Sequence, residues 1–330
     1  MTSGPNRRGE YTARINRVLD YIQAHLAEEL TLEQLARVAN FSRYHFHRVF
    51  RTLVGEPLGA HIQRLRVEKA ARLLCFDPSV PVTNIALDCG YSSSAAFSRA
   101  FREALGMSPS EWRDRAGSKI GIMDRNLGQV RRNPWKEIQI EWLDAQAIHN
   151  PPTWRMVMTI ETTNQATRQL EAKVEVNQLP EMHVAYLRHI GPYAGDAALF
   201  GRLCGQLMRW AGPRGLMSPE AQMLSIYYDD PSLTDGSKLR LDVALTVPPD
   251  TEVTGEVCKM TLPAGKCAMA RFEIAPEDYG LAWEAVSAWL PDSGYVPDDR
   301  PCYEIYRNDP QQHPEGKHVV DICIPVKPME

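Results

Sequence analysis

Two arginines, Arg48 and Arg99, occupy equivalent positions in a repeat near the beginning of the chain. A guanidinium group presents its N–H donors as a planar fork, which can form two hydrogen bonds to the O6 and N7 atoms of a guanine base. The outward positions around them, at helical spacing, are Tyr44, His47, Arg48 and Arg51 in the first copy and Ala95, Ser98, Arg99 and Arg102 in the second. This pattern indicates a surface that contacts double-stranded nucleic acid. Phosphate contacts are expected from Arg43, Arg51, Arg64, Arg66 and Arg102.

A carboxylate in the last part of the chain, Glu304, is flanked by aromatic residues at strand spacing. Alternation along CYEIY places Cys302, Glu304 and Tyr306 on one face of a strand. A carboxylate buried among rings is costly unless a cation accompanies it, and aromatic faces attract cations. A positively charged ligand, an internal arginine and exposure to water are the alternatives for Glu304. The expected ligand contacts, whose aromatic members suit a hydrophobic core equally well, are Glu304, Tyr306, Ser225, Tyr227, Trp283 and Tyr193.

Residues 31 to 115 contain an internal repeat with a period of about fifty residues. Leu-Ala at 35 is matched by Ile-Ala at 85, an offset of 50, whereas Phe50 returns as Phe101, an offset of 51. The change in offset predicts one residue inserted in the second turn. Each copy predicts a short helix, a tight turn and a second helix.

Capping residues support these helix boundaries. Ser42 and Ser93 suit the start of the second helix in each copy, and Gly55 and Gly106 suit its end. Residues 58 to 76 have no helix breaker and predict one spacer helix, long enough to bring two recognition helices to adjacent grooves of a duplex. An earlier helix over 12 to 27 is expected to close the first copy with its apolar stripe.

A longer repeat begins at about residue 173. IYYDDP at 226 returns as IYRNDP at 305, and LDVA at 241 returns as VDIC at 320, both with an offset of 79 residues. Each unit predicts two strands, a helix and two further strands. We therefore expect a duplicated α+β domain with a groove between its units. The alternative is a duplicated sheet that only dimerises or supports another domain.

Charge divides unevenly along the chain of 330 residues. The formal net charge is −4, yet residues 1 to 116 carry +4 and the remainder carries −8. A basic first part fits a module that faces phosphates, joined to an acidic partner domain. Residues 117 to 172 between the two repeats are expected to be a linker with a possible strand hairpin.

Several classes of protein are disfavoured by what the chain lacks. Its seven cysteines form no CxxC pair, and it contains no Ser-His-Asp order, metal-ligand cluster or phosphate loop. We therefore expect reduced thiols, no metal, no cofactor and no enzymatic activity. The first residues have no apolar signal segment, and no apolar run reaches about eighteen residues. A cytoplasmic protein without membrane contact is expected.

The N-terminal repeat resembles the AraC/XylS family of transcription regulators. The resemblance rests on LTLEQLARVANFSRYHFHRVFRTLVGEPLGAHI, from Leu30, and VTNIALDCGYSSSAAFSRAFREALGMSPSEWR, from Val82. It implies an all-α domain over 1 to 116, with two helix-turn-helix subdomains joined by a long helix. It further implies binding to promoter DNA, possible contact with RNA polymerase, and base-contacting roles for Tyr44, His47, Arg48, Ser94, Ala95, Ser98 and Arg99.

The second half, 173 to 330, resembles the GyrI-like, or SHS2-type, effector-binding domain. LPEMHVAYLRHIGPY, CYEIYRNDP and HVVDICIPV carry the resemblance. It implies that the groove between the repeats binds drug-like, often cationic and aromatic, molecules and that Glu304 faces them.

Together these features predict a multidomain, sequence-specific DNA-binding regulator whose C-terminal groove binds a small effector. Some GyrI-like proteins hydrolyse small molecules, so the alternative is a hydrolase, or a protein that sequesters a ligand, fused to a DNA-binding domain. A third hypothesis is an architectural DNA-binding protein without an effector, which predicts weak sequence preference.

Overall fold

The computed structural model describes residues 7–76, 79–115, 170–231 and 233–329. The strand hairpin predicted between 117 and 172 lies outside these ranges. Within them, no helix is long and apolar enough to cross a membrane.

Among its described residues, the first part of the chain contains helices and no strand, as predicted. Its helices are α1 (Arg7–Ala24), α2 (Leu32–Val38), α3 (Arg43–Val54), α4 (Leu58–Phe76), α5 (Val82–Asp88) and α6 (Ser94–Leu105), followed by a helical segment over 109–115. The spacer helix α4 has the predicted bounds. Helix α1 begins and ends earlier than the predicted 12 to 27.

The two recognition helices, α3 and α6, begin and end in the same way. The Ser42 hydroxyl accepts a hydrogen bond from the His45 amide at 3.4 Å, and the Ser93 hydroxyl accepts one from the Ala96 amide at 3.2 Å. Each serine thereby satisfies an amide that the helix itself leaves without a partner. Gly55 ends α3 at a φ of +83°, a left-handed conformation that favours glycine.

Each helix-turn-helix copy has its own hydrophobic core, and α4 belongs to both. Phe46 and Phe50 are fully buried in the first core, and Phe97 and Phe101 are fully buried in the second. The first core also takes residues from the beginning of α4, and the second takes residues from its end. The distance between the recognition helices is therefore set by one continuous helix.

The second part is one antiparallel sheet. Its strands are β1 (Glu175–Leu179), β2 (Met182–Ile190), β3 (Met223–Tyr227), β4 (Arg240–Thr246), β5 (Cys258–Leu262), β6 (Gly265–Ile274), β7 (Tyr295–Pro297), β8 (Cys302–Tyr306) and β9 (His318–Pro328). The main order is β1-β6-β9-β8-β3-β4-β2-β5, and β7 pairs with β9 outside it. We call 175–246 unit one and 258–328 unit two.

The strands β1, β2, β3 and β4 of unit one correspond to β5, β6, β8 and β9 of unit two. With these correspondences, the strand order is the same from either edge of the sheet, as a pseudo-twofold repeat requires. The first strand of each unit pairs with a strand of the other unit. Strand β1 of unit one pairs with β6 of unit two, and β5 of unit two pairs with β2 of unit one. The pseudo-twofold axis passes between β3 and β8, where Ser225 lies opposite Glu304. The exchange of strands joins the units into one continuous sheet.

The two faces of the sheet are covered by different helices. Helix α7 (Ala197–Ala211) packs on unit one and α8 (Tyr279–Trp289) packs on the same face of unit two. The other face receives α1 from the N-terminal part, with Ala13 in the sheet core beside Tyr186. The α+β architecture is the one predicted, and unit one has the predicted order of elements. Unit two has one strand more than predicted, the short β7 between α8 and β8.

Candidate functional site

The outer face of α3 is open to solvent. Tyr44 is 75% exposed, and His47, Arg48 and Arg51 are also exposed. The Arg48 guanidinium carbon lies 5.8 Å from the centre of the Tyr44 ring, within the range of a cation–π interaction. The structure therefore gathers the four predicted residues of the first copy on one basic, aromatic surface.

The corresponding face of α6 carries the residues of the second copy. Ser94, Ala95, Arg99 and Arg102 are exposed and Ser98 is half-buried. With the offset of 51, Ala95 stands where the first copy has Tyr44. Arg99 therefore has no ring beneath it at the position that supports Arg48.

Two arginines predicted to contact phosphates have other partners. The Arg64 guanidinium bonds to Glu56 at 2.8 Å and to Glu68 at 3.2 Å, and its side chain is only 15% exposed. Arg66 donates to the main-chain oxygens of Leu26, at 3.0 Å, and Glu28, at 2.6 Å. The phosphate interpretation is therefore wrong for Arg64, because all three of its guanidinium nitrogens bond to Glu56 or Glu68. Arg66 uses only two of its nitrogens in this way, so its phosphate contact stays a prediction.

The candidate ligand site is a cluster of side chains centred on Glu304, which is 2% exposed. Its Oε1 accepts a hydrogen bond from Trp283 Nε1 at 2.6 Å. Its Oε2 accepts one from the Tyr227 hydroxyl and one from the Tyr306 hydroxyl, both at 2.9 Å. Glu304 thus neither faces water nor pairs with a lysine or arginine among the described residues.

Aromatic rings surround this carboxylate. The Tyr227 ring lies edge to face against Trp283, with centroids 5.6 Å apart, and 5.5 Å from the Tyr193 ring. The Ser225 hydroxyl lies 2.9 Å from the Tyr306 hydroxyl. The structure therefore brings all six predicted ligand-contacting residues into one cluster.

The electrostatics of the cluster favour a positive charge beside Glu304. Burial raises the pKa of this carboxyl above its ordinary value, although the hydrogen bonds from Trp283, Tyr227 and Tyr306 act in the opposite direction. A cation in contact with the carboxylate would relieve the desolvation penalty that causes the shift. The cluster can therefore bind a cation by charge pairing and its aromatic body by ring contacts.

A third set of polar residues, at the contact between the two parts of the chain, was missed from the sequence. Asp20 of α1 lies 2.8 Å from Arg188 and accepts a hydrogen bond from the Tyr186 hydroxyl. Gln23, also on α1, accepts one from Arg240 at 3.2 Å. The signal was the polar face of α1 opposite its apolar stripe, which is equally typical of a solvated helix.

Comparisons with known proteins agree with this division of the chain. Residues 35–115 match a helix-turn-helix domain family, and residues 172–327 match the family described as a GyrI-like small molecule binding domain. The chain belongs to the AraC-type regulators in its N-terminal part and to the GyrI-like family in its C-terminal part.

Relatives of both parts are known. A DNA gyrase inhibitor of Edwardsiella piscicida is 32% identical over 161 residues, which are 47% of this chain and 98% of that protein. The HTH-type transcriptional activator AarP of Providencia stuartii is 36% identical over 99 residues, which are 30% of this chain and 73% of that protein. A crystal structure of the AdpA DNA-binding domain with target DNA is 33% identical, covers 32% of this chain and 95% of that chain, and has a TM-score of 0.31.

Proposed function

We propose that this protein is a transcription regulator that binds promoter DNA through α3 and α6 and a small cationic, aromatic effector in the groove at Glu304. The observation that carries the effector part is the buried Glu304 carboxylate, held by three neutral donors with no cation beside it among the described residues.

The DNA-binding part of the proposal is supported by the two exposed basic faces and by α4 between them. A helix of 19 residues is roughly 27 Å long, comparable to the roughly 34 Å between successive major-groove faces on one side of a duplex. One chain can therefore place two recognition helices on neighbouring turns. We assign base contacts to Arg48 and Arg99 and phosphate contacts to Arg51 and Arg102.

The names of the relatives support a regulatory role. AarP is called a transcriptional activator and SoxS of Salmonella typhimurium a regulatory protein. From this we infer that the chain is not an enzyme, that it works in the cytoplasm and that it meets RNA polymerase at the promoter. Turnover of a bound ligand would instead favour the hydrolase hypothesis.

The decisive experiment is footprinting of the purified protein on DNA upstream of its own gene, with and without a panel of lipophilic cations. We expect a specific footprint of about two helical turns and an affinity or transcriptional output that changes with a cation. A footprint that no compound alters would remove the effector from the proposal. Protection without sequence preference would favour an architectural protein.

Glu304→Gln tests the groove separately. The amide keeps the size of the side chain but removes the negative charge, so we expect cation affinity to fall by about tenfold or more while DNA affinity is unchanged. Glu273→Gln, on an exposed glutamate of the same sheet, is the matched control. Unchanged ligand affinity in Glu304→Gln would exclude Glu304 from the site.

A further inference from the structure

The Glu304 cluster, which the proposed function takes as the ligand groove, lies on the pseudo-twofold axis of the sheet, yet its two halves are not equivalent. Tyr227 and Tyr306 are related by the offset of 79 residues, and both hydroxyls donate to the same oxygen of Glu304. The counterpart of Glu304 is Ser225, which lies directly opposite it on the neighbouring strand. The tyrosines are therefore symmetric about the axis, whereas the carboxylate belongs to unit two alone.

The helices above the sheet repeat this asymmetry. The offset of 79 places Leu207 of α7 on Val286 of α8, and both are fully buried. With the same offset, Trp283 corresponds to Cys204. Trp283 donates a hydrogen bond to Glu304, whereas unit one has a small, half-buried thiol at this position. Unit one thus offers smaller, neutral side chains where unit two offers a carboxylate and an indole.

We propose that the groove selects ligands with one positive charge at one end, and that Ser225 is the residue that sets this limit. The charged end lies at Glu304, and the uncharged end lies on the side of Ser225 and Cys204. This inference rests on the proposed function, because it takes the groove to be the ligand site.

The physical reason is the number of counter-charges. The Tyr306 hydroxyl gives its proton to Glu304, so its hydrogen bond with Ser225 uses the proton of the serine hydroxyl. Ser225 can therefore offer a second cation only the lone pair of a neutral oxygen. A cation buried without a counter-charge loses its hydration and gains little in return.

Two probes of equal length test the charge limit. N-methyl-4-(4-methylphenyl)pyridinium carries one charge, and N,N′-dimethyl-4,4′-bipyridinium carries a second charge on the other ring. In calorimetric titrations of the full chain without DNA, we expect the monocation to bind about tenfold or more tightly than the dication. Because the second charge is part of the ring, it cannot extend into solvent on a side chain.

Ser225→Glu should change the ratio of monocation affinity to dication affinity by about tenfold or more in favour of the dication. Each positive charge of the dication can then pair with its own carboxylate. Two adjacent buried carboxyls share a proton, so dication binding to this variant should also release a proton, measured by titration in buffers of different ionisation enthalpy. Ser225→Gln has the size of the glutamate variant without its charge and is the matched control, which should not move the ratio towards the dication.

The double variant Ser225→Glu with Glu304→Ser keeps one carboxylate and transfers it to the other side of the axis. It should still prefer the monocation, with weaker binding because Trp283 no longer has a carboxylate to donate to. Circular dichroism and thermal unfolding establish that each variant is folded. If Ser225→Glu does not fold, the charge limit is tested by the double variant and by the ratio of the two affinities in the unmodified protein.

The outcomes are distinct. Equal binding of both probes to the unmodified protein overturns the charge limit and leaves the proposed function intact. A ratio that a folded Ser225→Glu variant does not move overturns the role of Ser225. Binding of neither probe overturns this inference together with the cationic effector of the proposed function.

Discussion

The two units of the sheet contain the same ion pair in opposite surroundings. In unit one, Arg188 and Asp242 face each other across β2 and β4, joined by two hydrogen bonds of 2.7 Å, and both are buried under α1. In unit two, Arg271 and Asp321 occupy the equivalent register at 2.6 and 2.9 Å, but the Arg271 side chain is 63% exposed. The duplication therefore preserved the contact while the surrounding elements changed its role.

The difference between the two ion pairs comes from the additional charged residue that contacts each of them. Asp20 of α1 completes the unit-one pair from the DNA-binding part of the chain. In unit two, the carboxylate of Asp321 is instead shared with a second arginine, Arg307, at 2.7 Å. A pair closed off from water contributes to the contact between domains, whereas an open pair contributes little because water competes for its charges.

The two helix-turn-helix copies also share a contact whose side chains differ in chemistry. His61 packs edge to face on Phe50, with centroids 5.6 Å apart, and Trp112 packs in the same way on Phe101, at 6.0 Å. Both pairs are related by the offset of 51. The geometry is common to both copies, but only the first has a titratable group at this position.

The largest effect is expected when the aspartate of each ion pair is removed, in the variants Asp242→Ala and Asp321→Ala. Removal of Asp242 leaves Arg188 buried without its bidentate partner, and we expect a loss of about 3–5 kcal/mol in the free energy of unfolding. Asp321→Ala should cost about 1 kcal/mol, because water can solvate Arg271. Urea denaturation measures both. Equal losses would show that the cover provided by α1 does not determine the strength of the pair.

A smaller effect is expected at the recognition helices. Arg48→Ala should weaken specific DNA binding by about 1–3 kcal/mol and relax discrimination at one base position. Arg99→Ala should cost less, since Ala95 stands where Tyr44 orders Arg48 and no other described residue places an aromatic ring against Arg99. Competition binding at constant salt measures both, with the exposed Arg37→Ala as the control. An equal loss on every sequence would make Arg48 a phosphate contact.

In the first helix-turn-helix copy the expected effect is a gradual dependence of stability on pH. Burial lowers the pKa of His61 to about 4, whereas the unfolded chain keeps a value near 6.5. Between these values the unfolded state binds a proton that the folded state does not. Stability should therefore fall as the pH drops from about 6.5 to about 4, by up to about 1.4 kcal/mol per pH unit.

Glu56 extends this loss to lower pH. Burial raises the pKa of its carboxyl, but the hydrogen bonds from His61 and Arg64 outweigh burial and hold the pKa at about 2. Its contribution is present above about 4.5 and is lost as the pH falls towards 2. His61→Gln should flatten the profile between pH 6.5 and 4, and His47→Gln, on the exposed face, is the control. An unchanged profile in His61→Gln would exclude His61 as its origin.

Local features of the fold could be predicted from the sequence. The bounds of α4, the capping by Ser42 and Ser93 and the left-handed Gly55 depend on residues a few positions apart. Alternation along a strand likewise predicted the shared face of Glu304 and Tyr306. The phosphate interpretation of Arg64 failed because local spacing shows only its neighbour Glu68, whereas the approach of Asp229 to 3.8 Å, from the loop after β3, depends on tertiary contact.

The sequence by itself determined the two repeats, their registers and the residue types at each matched position, because periodicity and capping act over short separations. Only the tertiary structure decided that β1 and β5 exchange units, that α1 covers one Arg–Asp pair and leaves the other open, and that Glu304 receives three donors. Burial and electrostatic strength depend on which distant surfaces meet and exclude water, so identical pairs in a repeat acquired different properties.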